Sequence, residues 1–412
     1  MDEPVRPKLR TVDIIASEHE GRRVLALHDP AGIAQGIMMV SEPVLFLLSR
    51  FDGEHSLLEI QVEFLETFGK TIRLEQIEDL VRQLDEAHFL EGPGFDAYLA
   101  GLVKAFRAAP TRQTQPDSGL GVELHQLPIA LREIVSQGNA DGVAGTVVGL
   151  VAPHLDLRRG RACYADAYKL LSRANQARRF VILGTNHFGR SSSVTATGKS
   201  FETPLGTTPV DQAFLERLSR RCGTDLCENE FDHKREHSVE IQVLFLQYLL
   251  YGQPFTIVPV LCPDPCGPTG TRPYDGRGVD LQRFAEALGE ELREDPAPTC
   301  VIAGADLSHI GRRFGDDRDL DEPFLREVEA HDRRVLGHVQ AKEAEAFRQA
   351  VAAEENPTHI CSAGCLFALL VALCRAHDAA RLSGRLLRYH QAVDAETDTG
   401  VTCAAMAFMV ES

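Results

Sequence analysis

TVVGLVAPHLD, residues 146–156, opens with seven uncharged residues dominated by Val and passes at once into Pro153-His154-Leu155-Asp156. A short apolar run that does not alternate with polar residues fits a strand buried on both faces, as in a parallel sheet covered by helices. Three more runs share this character: 180–184 (FVILG), 255–261 (FTIVPVL) and 300–305 (CVIAGA). Helical signals fall at about 163–174, 210–221, 236–251, 279–293, 324–339, 342–352 and 363–376, and 385–393 and 400–410 read as closing strands. This alternation predicts an α/β fold, a three-layer sandwich, over residues 122–412.

In an open α/β sheet, ligands bind outside the carboxyl ends of the strands. The residues just past those ends are His154 and Asp156 after the first run, Asn186 and His187 after FVILG, and Asp306 and His309 after CVIAGA. Any one of these histidines could be an ordinary loop residue, but three placed alike point to a shared site. Neutral imidazole binds zinc, iron or copper and moves protons near neutral pH. Cys361, just before an apolar helix, is either a thiol whose ionisation the helix N-terminus favours or a small buried hydrophobe. His237 lies between Glu236 and Glu240 at the head of another helix, one turn before Ile241. It is either a satisfied core histidine or a second acid/base group. Arg158 and Arg159 either face an anionic ligand or are simply solvated.

Residues 108–121 (AAPTRQTQPDSGLG) read as a linker. Before it, residues 1–107 combine short strand-like pieces (11–16, 23–27, 36–40) with three helical signals. The first opens at Ser41 with Pro43 in its first turn. The second has a capping box of Ser56 and Glu59 and ends at Gly69, and the third covers 74–87. This is a small α+β unit.

The 43 basic and 60 acidic residues give a net charge of −17, which disfavours phosphate backbones and anionic lipid. Nucleic acid is therefore not expected as a partner. No apolar run reaches the roughly 18–20 residues of a membrane span, the longest being 360–374, and the N-terminus lacks a signal-peptide layout. Neither a membrane nor secretion is expected. Ten cysteines without a compact framework or a C-x-x-C predict a reducing, cytoplasmic setting. Phosphate loop, dinucleotide fingerprint, nucleophile elbow and H-E-x-x-H helix are all missing, which removes the usual grounds for nucleotide hydrolysis, hydride transfer, serine esterase or zincin chemistry.

APHLDLRRG, VILGTNHFG, the EHSVEIQ helix, GADLSHIG and HICSAGC, in this order, resemble the Memo family, and in particular its bacterial branch, protein B of the AmmeMemoRadiSam system. The family resembles class III extradiol dioxygenases, where two histidines and a carboxylate hold non-haem iron(II) and a further histidine is the acid/base. The resemblance implies His154 and His187 as metal ligands, Cys361 in place of the carboxylate, and His309 as acid/base. In an enzyme built this way His237 would support the proton transfer. Asp156, Asn186, Glu236 and Asp306 would support the site. A thiol in the ligand set departs from the dioxygenase pattern and widens the divalent transition metal from iron to copper or zinc. In the N-terminal unit, LHDPAGI, VSEPVLFLLSRFDGEHSLLEI and LVRQLDEAHFLEGP resemble winged-helix, PqqD-like modules that bind peptides. Residues 1–107 hold 11 basic and 19 acidic side chains, the wrong balance for a DNA-reading winged helix. Two functions of different class follow: a metal-dependent oxidoreductase, or a non-catalytic component that binds a peptide or protein and serves a radical-SAM partner.

Overall fold

A computed structural model describes residues 5–19, 22–34, 36–114, 120–141 and 145–411. The chain divides into two units, Met1–Ala109 and Pro110–Ser412. In the first, β1 (Asp13–His19), β2 (Arg22–His28) and β3 (Met38–Val40) form an antiparallel sheet followed by α1 (Glu42–Leu48), α2 (Leu57–Phe68), α3 (Leu74–Glu86) and α4 (Pro93–Ala108). The capping box at α2 is formed: the Glu59 N–H donates to the Ser56 hydroxyl, and the Ser56 N–H donates to the Glu59 carboxylate. Gly69 closes that helix in the left-handed region at φ 63°. Ser41 stands at the N-cap of α1 but its side chain makes no cap bond. α4 carried no expectation. It starts on Pro93, whose missing N–H is one a helix start leaves unpaired anyway.

The core of this unit gathers Leu27, Leu47, Phe51, Ile60, Ile77 and Leu84. Ile60 is fully buried, and Ile60→Ala is expected to cost about 2–5 kcal/mol through lost burial and an incompletely filled cavity. Denaturant unfolding of the full chain would show this as a lower midpoint for the transition that reports this unit.

The second unit runs β4 (Thr111–Gln113), α5 (Leu127–Ser136), β5 (Thr146–Ala152), α6 (Arg161–Ala174), β6 (Arg179–Thr185), β7 (Thr195–Ala196), β8 (Ser200–Thr203), β9 (Gly206–Thr208), α7 (Gln212–Cys222) and α8 (Ser238–Leu249). It continues with β10 (Thr256–Cys262), α9 (Leu281–Glu294), β11 (Thr299–Gly304), β12 (Asp306–Gly311), α10 (Glu322–Ala341), α11 (Ala344–Ala352), α12 (Ala363–Ala376), β13 (Leu382–Asp394) and β14 (Thr399–Val410). The main sheet has the order β12-β14-β5-β11-β6-β10-β7, with β13 also paired to β14. The four uncharged runs are its parallel centre, β5, β11, β6 and β10, and the flanking strands β7 and β14 are antiparallel.

Phe180, Val181, Ile182 and Leu183 in β6 are wholly buried, and since successive side chains point to opposite faces, both faces must be covered. α8 and α12 each pack on β6, β10 and β11. The approach of α8 is close: a Cβ on Gly304 would lie 2.6 Å from the Ser238 carbonyl oxygen. Glycine at the end of β11 is what admits the head of that helix, and with it His237. No helix among the described residues is long and apolar enough to cross a membrane.

Two expectations need correction. The stretch 108–121 is not a linker throughout, although 115–119 lie outside the described residues. α4 extends to Ala108, and Thr111–Gln113 form β4, which pairs in parallel with β8. The buried Arg112 side chain holds this strand in place through acceptors far along the chain, which the composition of the stretch does not encode. Residues after CVIAGA are not a loop either. Asp306–Gly311 form β12, antiparallel to β14, with a register shift between Asp306 and His309 that obscures any regular alternation.

Candidate metal centre

His154 follows β5, His187 follows β6, and His237 is the residue immediately before α8. One donor atom from each lies within 4.8 Å of those of the other two. The His154 and His187 rings meet edge to face with centroids 4.8 Å apart, and His237 stacks on His187 at 5.3 Å.

Two of the three rings are oriented by hydrogen bonds. His154 Nδ1 lies 2.9 Å from the Gly304 carbonyl, which can only accept, so Nδ1 carries the proton and Nε2 is the free nitrogen. His187 Nδ1 lies 3.2 Å from both oxygens of Glu236, which leaves its Nε2 free in the same way. Glu236 is itself held by the N–H groups of His187 and Ser238, each donating at 2.9 Å. An imidazole whose far nitrogen donates to a carboxylate or carbonyl is the arrangement that orients a metal-ligating histidine.

The Cys361 thiol, two residues before α12, lies 3.6 Å from His154 Nε2. Sulfur and nitrogen ligands at about 2.3 and 2.0–2.1 Å from one tetrahedral ion stand about 3.5 Å apart, so this spacing fits a shared ion. Asp306 sits behind: one oxygen accepts the His154 N–H at 3.0 Å and the other is 3.5 Å from Nε2. Ser362 ties these parts together. Its hydroxyl lies 3.2 Å from Cys361 Sγ and accepts from the Asp306 N–H and the Thr185 hydroxyl, each at 3.1 Å.

The charges balance internally. Burial works against the His154 imidazolium, but Asp306 and Cys361 outweigh it and raise its pKa to about 9. Burial opposes the His187 cation as well, and Glu236 overcomes it, holding His187 well above the ordinary imidazole value. Burial would raise the Cys361 thiol, yet the adjacent His154 and His187, helped by His309, hold it well below the usual thiol range. Burial dominates for His237 and lowers it to about 4, so this ring is neutral and has a lone pair to offer at neutral pH. A site that is cationic at two imidazoles and anionic at a thiol and a carboxylate is one in which a metal ion can replace protons.

His309 lies on β12, its N–H bonded to the Thr358 carbonyl at 2.8 Å and its Nδ1 3.1 Å from the Leu307 carbonyl. Asn186 braces the loop after β6 by donating to Asp232 at 2.9 Å and accepting the Gly189 N–H at 3.0 Å. Asp156 binds the N–H groups of Arg158 and Arg159 and pairs with the Arg159 side chain, so it shapes its own loop and the charge of Arg159 is used there. No motif marks Asp332, fully buried behind β12, which accepts from the hydroxyls of Ser308, Thr402 and Tyr389. Nor does one mark Arg112; a lone basic residue in a polar stretch has nothing to set it apart.

A parallel-centred sheet with helices on both faces, carrying a histidine-rich group able to hold a metal ion at its carboxyl edge, defines the class of α/β protein to which the second unit belongs. The chain belongs to the Memo family: the family described as Memo-like protein matches residues 125–407. A MEMO1 family protein of Aquifex aeolicus is 27% identical over 406 residues, covering 98% of this chain and all of its own length. A MEMO1 family protein of Methanopyrus kandleri is 31% identical over 257 residues, 61% of this chain and 79% of its own, and one of Methanobrevibacter smithii is 34% identical over 187 residues, 45% and 61%.

Proposed function

We propose that the second unit is a metal-dependent oxidoreductase related to class III extradiol dioxygenases, with His154, His187 and Cys361 as ligands and His237 completing the set. The observation that carries this reading is the commitment of Nδ1 in both His154 and His187 to an acceptor, which leaves Nε2 free beside the Cys361 thiol. Iron is the favoured metal, and the thiol makes copper or zinc acceptable. Bound there, the ion would act as a Lewis acid or redox centre for a small substrate. Glu236 and the Gly304 carbonyl orient the two imidazoles, and Asp306 anchors the His154 backbone N–H. His309, on β12, would hold or move a proton. The reaction belongs in a reducing, cytoplasmic setting, where Cys361 stays a thiol.

Metal analysis of protein purified without added metal tests this. The expected result is close to one equivalent of a transition metal in the wild type and a large loss in both His154→Ala and Cys361→Ser. Less than about 0.1 equivalent in the wild type, unchanged in the variants and after incubation with iron(II), copper or zinc, would sink the reading.

A second reading is favoured by the surface of the first unit. Ile15 and Met39 flank Ala26 in one row across its sheet, and both are exposed, as are Leu58 and Val62 on the outer side of α2. Here residues 1–107 are a PqqD-like winged-helix module that presents apolar surface to a peptide or protein, and the chain is an accessory of a radical-SAM partner. Full-length protein carrying Ile15→Asp and Met39→Asp should then lose co-purification with that partner while keeping its metal.

A further inference from the structure

Arg112 is buried in the second unit, yet it comes from the three-residue strand β4, which only Ala109 and Pro110 separate from the end of α4. Its guanidinium reaches three acceptors near the metal centre. Nε donates to the His233 carbonyl at 3.1 Å, Nη2 donates to the Glu236 carbonyl at 2.8 Å, and Nη1 is paired with the carboxylate of Glu240, which is also fully buried. The two carbonyls belong to residues 233 and 236, the turn that enters α8, and Glu240 lies in the first turn of that helix. The side chains this turn delivers are Glu236, which holds His187 Nδ1, and His237, which stacks on it.

We propose that Arg112 is the positioning residue of the His187–Glu236–His237 part of the site, fixing the backbone from which Glu236 and His237 project. The inference rests on the metal-binding reading above. A planar guanidinium offers donors in a rigid fork and can satisfy two carbonyls and a carboxylate together. A lysine ammonium in its place keeps the charge opposite Glu240 but not that geometry. Arg112 touches no substrate and no metal, so it acts only through the turn. The rival role is purely one of stability, since leaving Glu240 buried without its partner is costly for any fold.

Two full-length variants separate the roles. Arg112→Lys keeps the charge pair and loses the fork. Arg112→Met with Glu240→Leu removes both buried charges, a replacement that is often neutral or stabilising, and removes the N–H donors to both carbonyls. Two readouts are used. The first needs no metal: the His187 Nδ1 proton, held between the Glu236 oxygens, is expected as a downfield proton resonance in the wild type and should move upfield in both variants. The second is titration with cobalt(II), in which both variants should bind roughly 10- to 100-fold more weakly, the usual effect of losing an orienting partner, with shifted visible bands. Folded variants with the wild-type resonance, affinity and spectrum would overturn the proposal. So would failure of both variants to fold, which would make Arg112 a stability element. If the wild type binds no cobalt(II), the metal-binding reading fails and the proton resonance alone decides the positioning role.

Discussion

Alanine at His187 is expected to weaken metal binding by more than 100-fold. The substitution removes a donor nitrogen and also strands Glu236, a fully buried carboxylate that loses the imidazole now lying 3.2 Å from both its oxygens. Glu236→Gln leaves the ring in place and only weakens its orientation, so the expected loss is smaller, about 10- to 100-fold. The order of the two effects is the diagnostic feature. Competition titrations with a chromophoric chelator would measure both, and a His187→Ala protein that keeps tightly bound metal would remove this residue from the ligand set.

Gly364→Ala is expected to damage stability and the site together. Gly364 lies in the first turn of α12, and a Cβ there would sit 2.0 Å from the Pro263 carbonyl oxygen, just past the end of β10. A clash with backbone cannot be relieved by a rotamer change, so the start of α12 must retreat. Overpacking of this kind costs about 1–3 kcal/mol and sometimes more. Ser362 and Cys361 precede the helix and move with it, which breaks the Ser362 contact to Asp306 and withdraws the thiol from His154. The expected signature is a melting point lowered by several degrees together with loss of thiolate-to-metal charge-transfer absorption in the cobalt(II) form. A lower melting point with that absorption intact would uncouple α12 from the centre.

The sequence carried the parallel centre of the sheet because strands buried on both faces must be apolar at every position, and no other element so short has that signature. His154 and His187 were legible for the same reason: they stand where such runs stop. The head of α8 placed His237 and Glu236 near the interior, where the flanking carboxylates read His237 as a core histidine or an acid/base group. The fold instead brings it within reach of the other two imidazoles, a juxtaposition of three segments that spacing along the chain does not encode. β4, β7, β8 and β9 are two to four residues long, too short for alternation to register. β12 is hidden by its bulge and by Asp306, Ser308 and His309, whose polarity reflects the site and the Asp332 network beside it. Arg112 was invisible because a buried cation is recognised by its acceptors, which lie more than 120 residues further along.

β14 pairs along one part of its length with β12 and along the rest with β5, and also carries β13. The partner of Thr146 is Val410, roughly 260 residues downstream. At a synthesis rate of about 5–20 residues per second, β5 emerges from the ribosome tens of seconds before that partner exists. During this interval an apolar strand has an open edge, the kind of surface that templates association between chains. Production of this protein is therefore a problem of timing, and the yield of soluble chain should depend on translation speed and on chaperones that shield β5 while the rest of the sheet is made.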